Sequence, residues 1–201
     1  MEFFYLAFTL FILMDAFGNI PLYISLLQHI DPKRQRIIIL RELLIAYGVI
    51  VLFAIAGDEF LSFLHIQRYT IRLTGGIILF LTALKMIFPS SLKNDSSSEN
   101  NKKGVEPFLV PLAIPLIAGP VVLAAVMLYA TQYPVGIVIG ASAVAWAFCT
   151  LVLVFSPFIG RKIGPRGVSA LERLMGLILI LMAVDMFCEG IRNFTISIYS
   201  R

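Results

Sequence analysis

Asp15, Gly18, Asn19 and Pro21 fall within one short stretch, in the middle of an apolar run from Phe3 to about Leu27. These residue types can do chemistry together. A carboxylate can hold a proton, Na+ or an ammonium group, and an asparagine amide both donates and accepts hydrogen bonds. Glycine and proline interrupt a helix and free backbone amides and carbonyls to bind a ligand. Asp15 is expensive in this place: a central Asp disfavours membrane insertion by about 2.5 to 3.5 kcal/mol, whereas each Leu, Ile or Phe favours it by about 0.3 to 0.6 kcal/mol. The segment still inserts, with a smaller margin. Asp15 and Asn19 are therefore read as a binding pair for a substrate ammonium or a coupling ion. The alternative is a structural role, with Asp15 serving as partner to Asn19 or to a polar group on the fourth span.

A second cluster has the same breakers without the carboxylate. Pro111, Pro115, Gly119 and Pro120 lie inside another apolar run, from about Pro107 to Ala130. Three prolines and a glycine predict an interrupted helix there as well. A half-helix that starts at such a break offers unpaired N–H groups and a positive partial charge to an anion, and one that ends there offers carbonyls to a cation. Gly18, Pro21, Pro115, Gly119 and Pro120 are thus expected to act through backbone, with close helix packing as the competing role for the glycines.

The elements that carry these clusters are membrane spans. The 201 residues are 59% hydrophobic and 14% charged, with mean hydropathy +0.92, whereas soluble domains carry about 25% charged residues. Six spans of roughly 20 residues are expected: about Phe3–Leu27, Ile38–Ala56, Thr70–Phe88, Pro107–Ala130, Val135–Phe158 and Ala170–Ile191. The N-terminal run has no basic leader region or cleavage site and reads as a retained span. Residues 90–106 form a polar, low-complexity linker. It divides the chain into a first unit, 1–89, and a second, 107–201. Basic residues cluster in the loops after spans one, three and five: Lys33, Arg34 and Arg36; Lys93, Lys102 and Lys103; Arg161, Lys162 and Arg166. These loops and the linker are expected to be cytoplasmic, and both termini outside. The net charge of +4 follows from these loops and does not indicate nucleic acid.

Other polar residues are weaker candidates. Lys85, near the end of span three, is read as snorkelling. Asp185, deeper in span six, could pair with Lys85 or with Arg173. Arg41-Glu42 and Glu172-Arg173 are expected at interfaces, and a short amphipathic stretch through Phe60, Leu61, Phe63 and Leu64 is expected to lie on the outer surface. Trp146 is expected to pack in the interior. Cys149 and Cys188 sit in apolar runs and read as buried hydrophobes, and His29 and His65 as interfacial groups without metal-ligand spacing.

The chain also resembles itself at an offset of 101. Gly18 aligns with Gly119, Arg72-Leu73-Thr74-Gly75 with Arg173-Leu174-Met175-Gly176, and Ala46-Tyr47 with Ala147-Phe148. A unit of three spans repeated once must insert upside down the second time, which gives a pseudo-two-fold axis in the membrane plane. The expected fold is an all-α integral membrane protein with six transmembrane helices, built as two inverted three-helix repeats with helices 1 and 4 interrupted.

Five segments carry a family resemblance: Met14-Asp15-x-x-Gly18-Asn19-Ile20-Pro21, Arg41-Glu42-Leu43-Leu44-Ile45-Ala46, Gly75-Gly76-Ile77-Ile78-Leu79-Phe80-Leu81, the run from Pro111 to Pro120, and Leu171-Glu172-Arg173-Leu174-Met175-Gly176. On these the chain resembles the MarC family of six-span bacterial inner-membrane proteins, similar to the LysE-type exporters in design. It departs from the family at Ala16, where a proline usually follows the Asp. The resemblance implies a cytoplasmic-membrane location and, for some members, movement of small neutral amino acids such as alanine or glycine. A secondary transporter needing no cofactor is the leading expectation, with H+ or Na+ as a coupling ion, the lipid bilayer and a small solute as partners, and a homo-oligomer compatible with the chain. The chain has no Walker A motif and no protease set, so neither ATP-driven transport nor an enzyme is expected. A membrane protein without transport activity, either a scaffold or an intramembrane redox or enzymatic protein, is the alternative.

Overall fold

The computed structural model describes residues 2–27, 32–63, 65–88 and 117–199. The expected linker at 90–106 and the first part of the fourth span, with Pro111 and Pro115, lie outside the described residues, as does His29. The described residues form seven helices: α1 Glu2–Leu13, α2 Ile20–Leu27, α3 Pro32–Phe63, α4 Arg68–Ile87, α5 Pro120–Ala130, α6 Val135–Val154 and α7 Ser156–Tyr199. Among them α3, α4, α6 and α7 are long and apolar enough to cross a membrane, while α1 and α5 are shorter apolar helices. The residues expected to form the first span make up α1 and α2, separated by an interruption. Large apolar side chains such as Phe4, Phe8, Leu52, Leu81 and Leu181 stand on the outer surface, as a hydrocarbon solvent requires.

Several element boundaries differ from expectation. The stretch through Phe60 and Phe63 is no separate interfacial helix: it continues α3 to Phe63. The loop bearing Arg161, Lys162 and Arg166 is helical and belongs to α7. Gly164 interrupts α7 with φ 74° and ψ 171°. The residue before a proline avoids the α region, and glycine takes positive φ without strain, so Gly164 breaks α7 into two helical limbs, the second starting at Pro165. Limb 165–199 then runs well past the expected end of span six.

Packing follows small residues. The most extensive helix contact is α4 against α7. A Cβ on Gly76 would stand 2.9 Å from the Ala183 carbonyl oxygen, and one on Gly176 would stand 3.2 Å from the Ala83 carbonyl oxygen. Without hydrophobic drive between helices in lipid, such close backbone approach supplies the attraction. Arg72 of α4 forms a salt bridge with Glu189 of α7. Helix α3 crosses α6 at Tyr47 and Trp146, whose ring centroids are 5.2 Å apart. Tyr47 Oη donates to the Ile139 carbonyl at 3.3 Å, and Trp146 Nε1 donates to the Leu43 carbonyl at 2.7 Å. The expectation that Trp146 packs inside is met, and the indole also finds a hydrogen-bond acceptor.

Burial corrects the register of the self-similarity. At an offset of 101, Ala46-Tyr47 would match Ala147-Phe148, yet Ala46 is buried and Phe148 is 59% exposed. The buried positions of α3 and α6 coincide at 99 instead: Ile39 with Val138, Ala46 with Ala145, Ile50 with Cys149 and Ala54 with Leu153. Those of α4 and α7 coincide at 100: Gly76 with Gly176, Leu79 with Leu179 and Ala83 with Ala183. Only around the first break does 101 hold, with Ala16 and Ile117 both buried. Residue identity is loosely constrained on lipid-facing positions, whereas burial depends on position across an interface, so matches of identity and of burial need not share one offset.

Substitution at two glycines tests this packing. Gly76→Ala should destabilise the protein by about 1 to 3 kcal/mol through overpacking against backbone atoms. At Gly48 a Cβ would meet nothing within 4 Å, and Gly48→Ala should stabilise by up to about 1 kcal/mol through helix propensity. Thermal unfolding in detergent should separate the two in opposite directions.

Candidate functional site

The interruption of the first span runs from Met14 to Asn19, between α1 and α2. Helix α1 closes normally, with the Met14 N–H on the Leu10 carbonyl at 2.9 Å and the Asp15 N–H on the Ile12 carbonyl at 3.0 Å. Asp15 then takes φ 45°, the left-handed region that Asp and Asn tolerate better than most residues. Its Oδ1 accepts the Gly18 N–H at 3.1 Å. Asn19 turns back, and its Nδ2 donates to the Asp15 carbonyl at 2.9 Å and to the Met14 carbonyl at 3.4 Å. Two side chains thus satisfy backbone groups that the broken helix orphans.

A Cβ at Gly18 would displace the Asp15 carboxylate and the end of the Met86 side chain of α4. Asn19 thus meets Asp15 at its main-chain carbonyl. Asp15 itself is 9% exposed. Its surroundings are apolar: Met14, Ala16 and Ile20 are fully or almost fully buried, and Cys149 Sγ of α6 lies 3.7 Å from Met14 Sδ.

The second cluster is described only in its later part. Gly119 is extended, with φ −62° and ψ 163°, and Pro120 opens α5 at its first turn, where proline's missing N–H costs nothing. Ile117 and Ala118 ahead of it are buried in the same core as Met14 and Ala16. Pro21 lies in the first turn of α2. Gly18, Asn19, Pro21, Gly119 and Pro120 thus all border the two helix starts, and Pro115 lies outside the described residues.

Lys85 and Asp185 are not brought to the break. Both are exposed on the outer faces of α4 and α7, and neither pairs with the other. Asp185 does not pair with Arg173 either. The expected role for Asp185 as an internal partner is corrected by the register of α4 against α7, which turns it outward. Cys149 is buried and Cys188 is exposed, and both are free thiols, so Cys188 is not the buried hydrophobe expected.

Of the two carboxylates that read as interfacial, one is buried and the other half-buried. Glu42 is 5% exposed, and its Oε2 has no hydrogen-bond partner among the described residues, while Arg41 stays exposed. Glu172 is half-buried, within Coulombic reach of Asp15, while Arg173 is exposed. Adjacent residues on a helix point about 100° apart, so one member of each pair can face the bundle while its neighbour faces out, and the rotation of the helix decides which.

The geometry separates Asp15's roles. Asp15→Asn retains an Oδ1 acceptor and tolerance for positive φ, and should melt close to the parent. Asp15→Ala loses both, and should be less stable by about 1 to 3 kcal/mol. Equal melting of the two variants in detergent would remove the Asp15 side chain from the support of the turn.

Comparison with known proteins places the chain. The sequence profile described as MarC family integral membrane protein matches residues 1–195. The UPF0056 inner membrane protein YhgN of Escherichia coli K12 is 50% identical over 188 residues, covering 92% of this chain and 94% of its own. A UPF0056 membrane protein of Buchnera aphidicola subsp. Baizongia pistaciae is 47% identical, covering 92% and 93%, and one of Chlamydia pneumoniae is 38% identical, covering 92% of both chains. No solved structure matches the chain. An apolar helical fold with a polar break in its first span, and a match along nearly its whole length, identify the chain as a member of the MarC family of integral membrane proteins.

Proposed function

We propose that the chain is a secondary transporter of small neutral amino acids or similar small solutes, working in the bacterial inner membrane with both termini outside. The observation that carries this reading is the break itself: a carboxylate, 9% exposed, held at an interruption of an apolar helix. A buried carboxylate in a membrane protein favours a cation partner. Asp15 takes the coupling H+ or Na+, or the substrate ammonium. The start of α5 at Gly119-Pro120 offers backbone N–H groups to a carboxylate. Only the first break supplies polar side chains, so the two clusters contribute unequally.

The helix contacts support an inverted repeat of three spans each. Exchanging the first three spans with the last three carries the α1–α6 contact onto α5–α3 and the α2–α7 contact onto α5–α4, and leaves α4–α7 and α3–α6 as self-exchanging pairs. Two related arrangements of such a bundle permit alternating access. One observation favours a non-transporting membrane protein instead: Asp15 Oδ1 and the Asp15 carbonyl are both engaged within their own turn.

Counterflow decides between them. Purified protein in liposomes should exchange labelled alanine or glycine, with uptake responding to an imposed H+ or Na+ gradient. Asp15→Asn should abolish coupled uptake while the protein still inserts and folds. Absence of flux with every small solute tried would favour the non-transporting reading.

A further inference from the structure

A cavity of about 660 Å³ opens beside α2, between the start of α3, the end of α6 and the kinked start of α7. Its volume falls in the range of sites that enclose a drug-sized ligand, roughly 300 to 1,000 Å³. Its wall is apolar, formed by Pro21, Ile24, Ile39, Val154, Phe158 and Val168. Its polar side chains are few and its charges one-signed: Arg36 of α3 and Arg161 of α7, with the amide of Gln35 and the hydroxyl of Ser169. Arg36 and Arg161 are both exposed, so the charge sits at the mouth and the apolar surface lies within.

The mouth is built. Arg161 Nε donates to the Pro157 carbonyl at 3.3 Å, which holds one edge of the guanidinium and leaves its remaining N–H groups for an anion. Gly160 packs on Ile24 so closely that a Cβ there would collide with it, which seats the first limb of α7 on α2. Phe155 and Phe158 line the cavity and are also exposed on the outer apolar surface, so the cavity communicates with the hydrocarbon. A free inorganic anion would leave the apolar wall uncovered. A small zwitterion would press its ammonium towards two arginines.

We infer that this cavity is a binding site for an anionic phospholipid: Arg36 and Arg161 hold the headgroup phosphate, and an acyl chain covers the apolar wall. Basic pockets between transmembrane helices recognise anionic headgroups in this way. The site is distinct from the Asp15 turn and its occupancy does not depend on transport. A lipid seated there packs against Pro21 and Ile24 and props α2 against α3 and α7.

Lipid binding to the purified full-length chain in neutral detergent is the test, read by native mass spectrometry and thermal shift. Phosphatidylglycerol should bind and raise the melting temperature more than phosphatidylcholine of the same chains. Arg36→Gln and Arg161→Gln should each weaken that preference by about fivefold, the effect of one basic contact at a membrane surface. Lys162→Gln removes a neighbouring exposed charge that does not line the cavity, and should leave it unchanged. Ser169→Trp, at an exposed lining position, should weaken binding with both arginines present. Equal binding of the two lipids, or an equal loss in all three charge variants, would overturn the site. So would stabilisation by dodecanoate or inorganic phosphate without phosphatidylglycerol preference, since the cavity would then take a soluble anion. These outcomes are read without any flux, so they stand or fall apart from the transport assay.

Discussion

Inside a bilayer a backbone N–H or carbonyl has no water to turn to, and each unsatisfied group costs several kcal/mol. That constraint governs the first span. A helix can be interrupted at membrane depth only where something replaces the lost hydrogen bonds, and here the replacements are the Asp15 carboxylate on the Gly18 N–H and the Asn19 amide on the Met14 and Asp15 carbonyls. The polar residues that look costly in an apolar run are the ones that make the interruption affordable. The positive φ at Asp15 belongs to the same solution, because Asp accepts that conformation and can cap from it.

The rest of the bundle keeps this turn covered. Gly18 lets Met86 of α4 approach the break, and Ile117 and Ala118 close it from the side of α5. Around that centre the helices are joined where backbone meets backbone, at Gly76 against Ala183 and Gly176 against Ala83. They are also joined where aromatic side chains reach across to carbonyls, at Tyr47 and Trp146. Both devices suit a medium in which apolar contact alone gives no preference between neighbour and lipid.

Much of this was legible in the residues. Composition required a membrane protein, the breakers located the interruption of span one, and Gly119-Pro120 marked a helix start. What was misread shares a cause. Identity matches placed α3 against α6 at 101, while burial aligns them at 99, because a leucine-rich lipid face repeats letters without repeating contacts. Asp185 was read as a partner for Lys85 or Arg173 from its place along span six, but place along a helix does not say which side of it a residue faces.

Sequence by itself determined the solvent, the helical class and the position of the polar interruption, because hydropathy and the conformational limits of proline and glycine act locally. Only the tertiary structure decided which charged residues go inside. Glu42 and Glu172 turn inward while Arg41 and Arg173 turn out, and Lys85 and Asp185 end on the outer surface. Nothing local distinguishes these. The outcome depends on the rotation of each helix about its own axis, set by small residues on a different helix, and a rotation of 100° per residue makes a one-residue shift in register enough to reverse it.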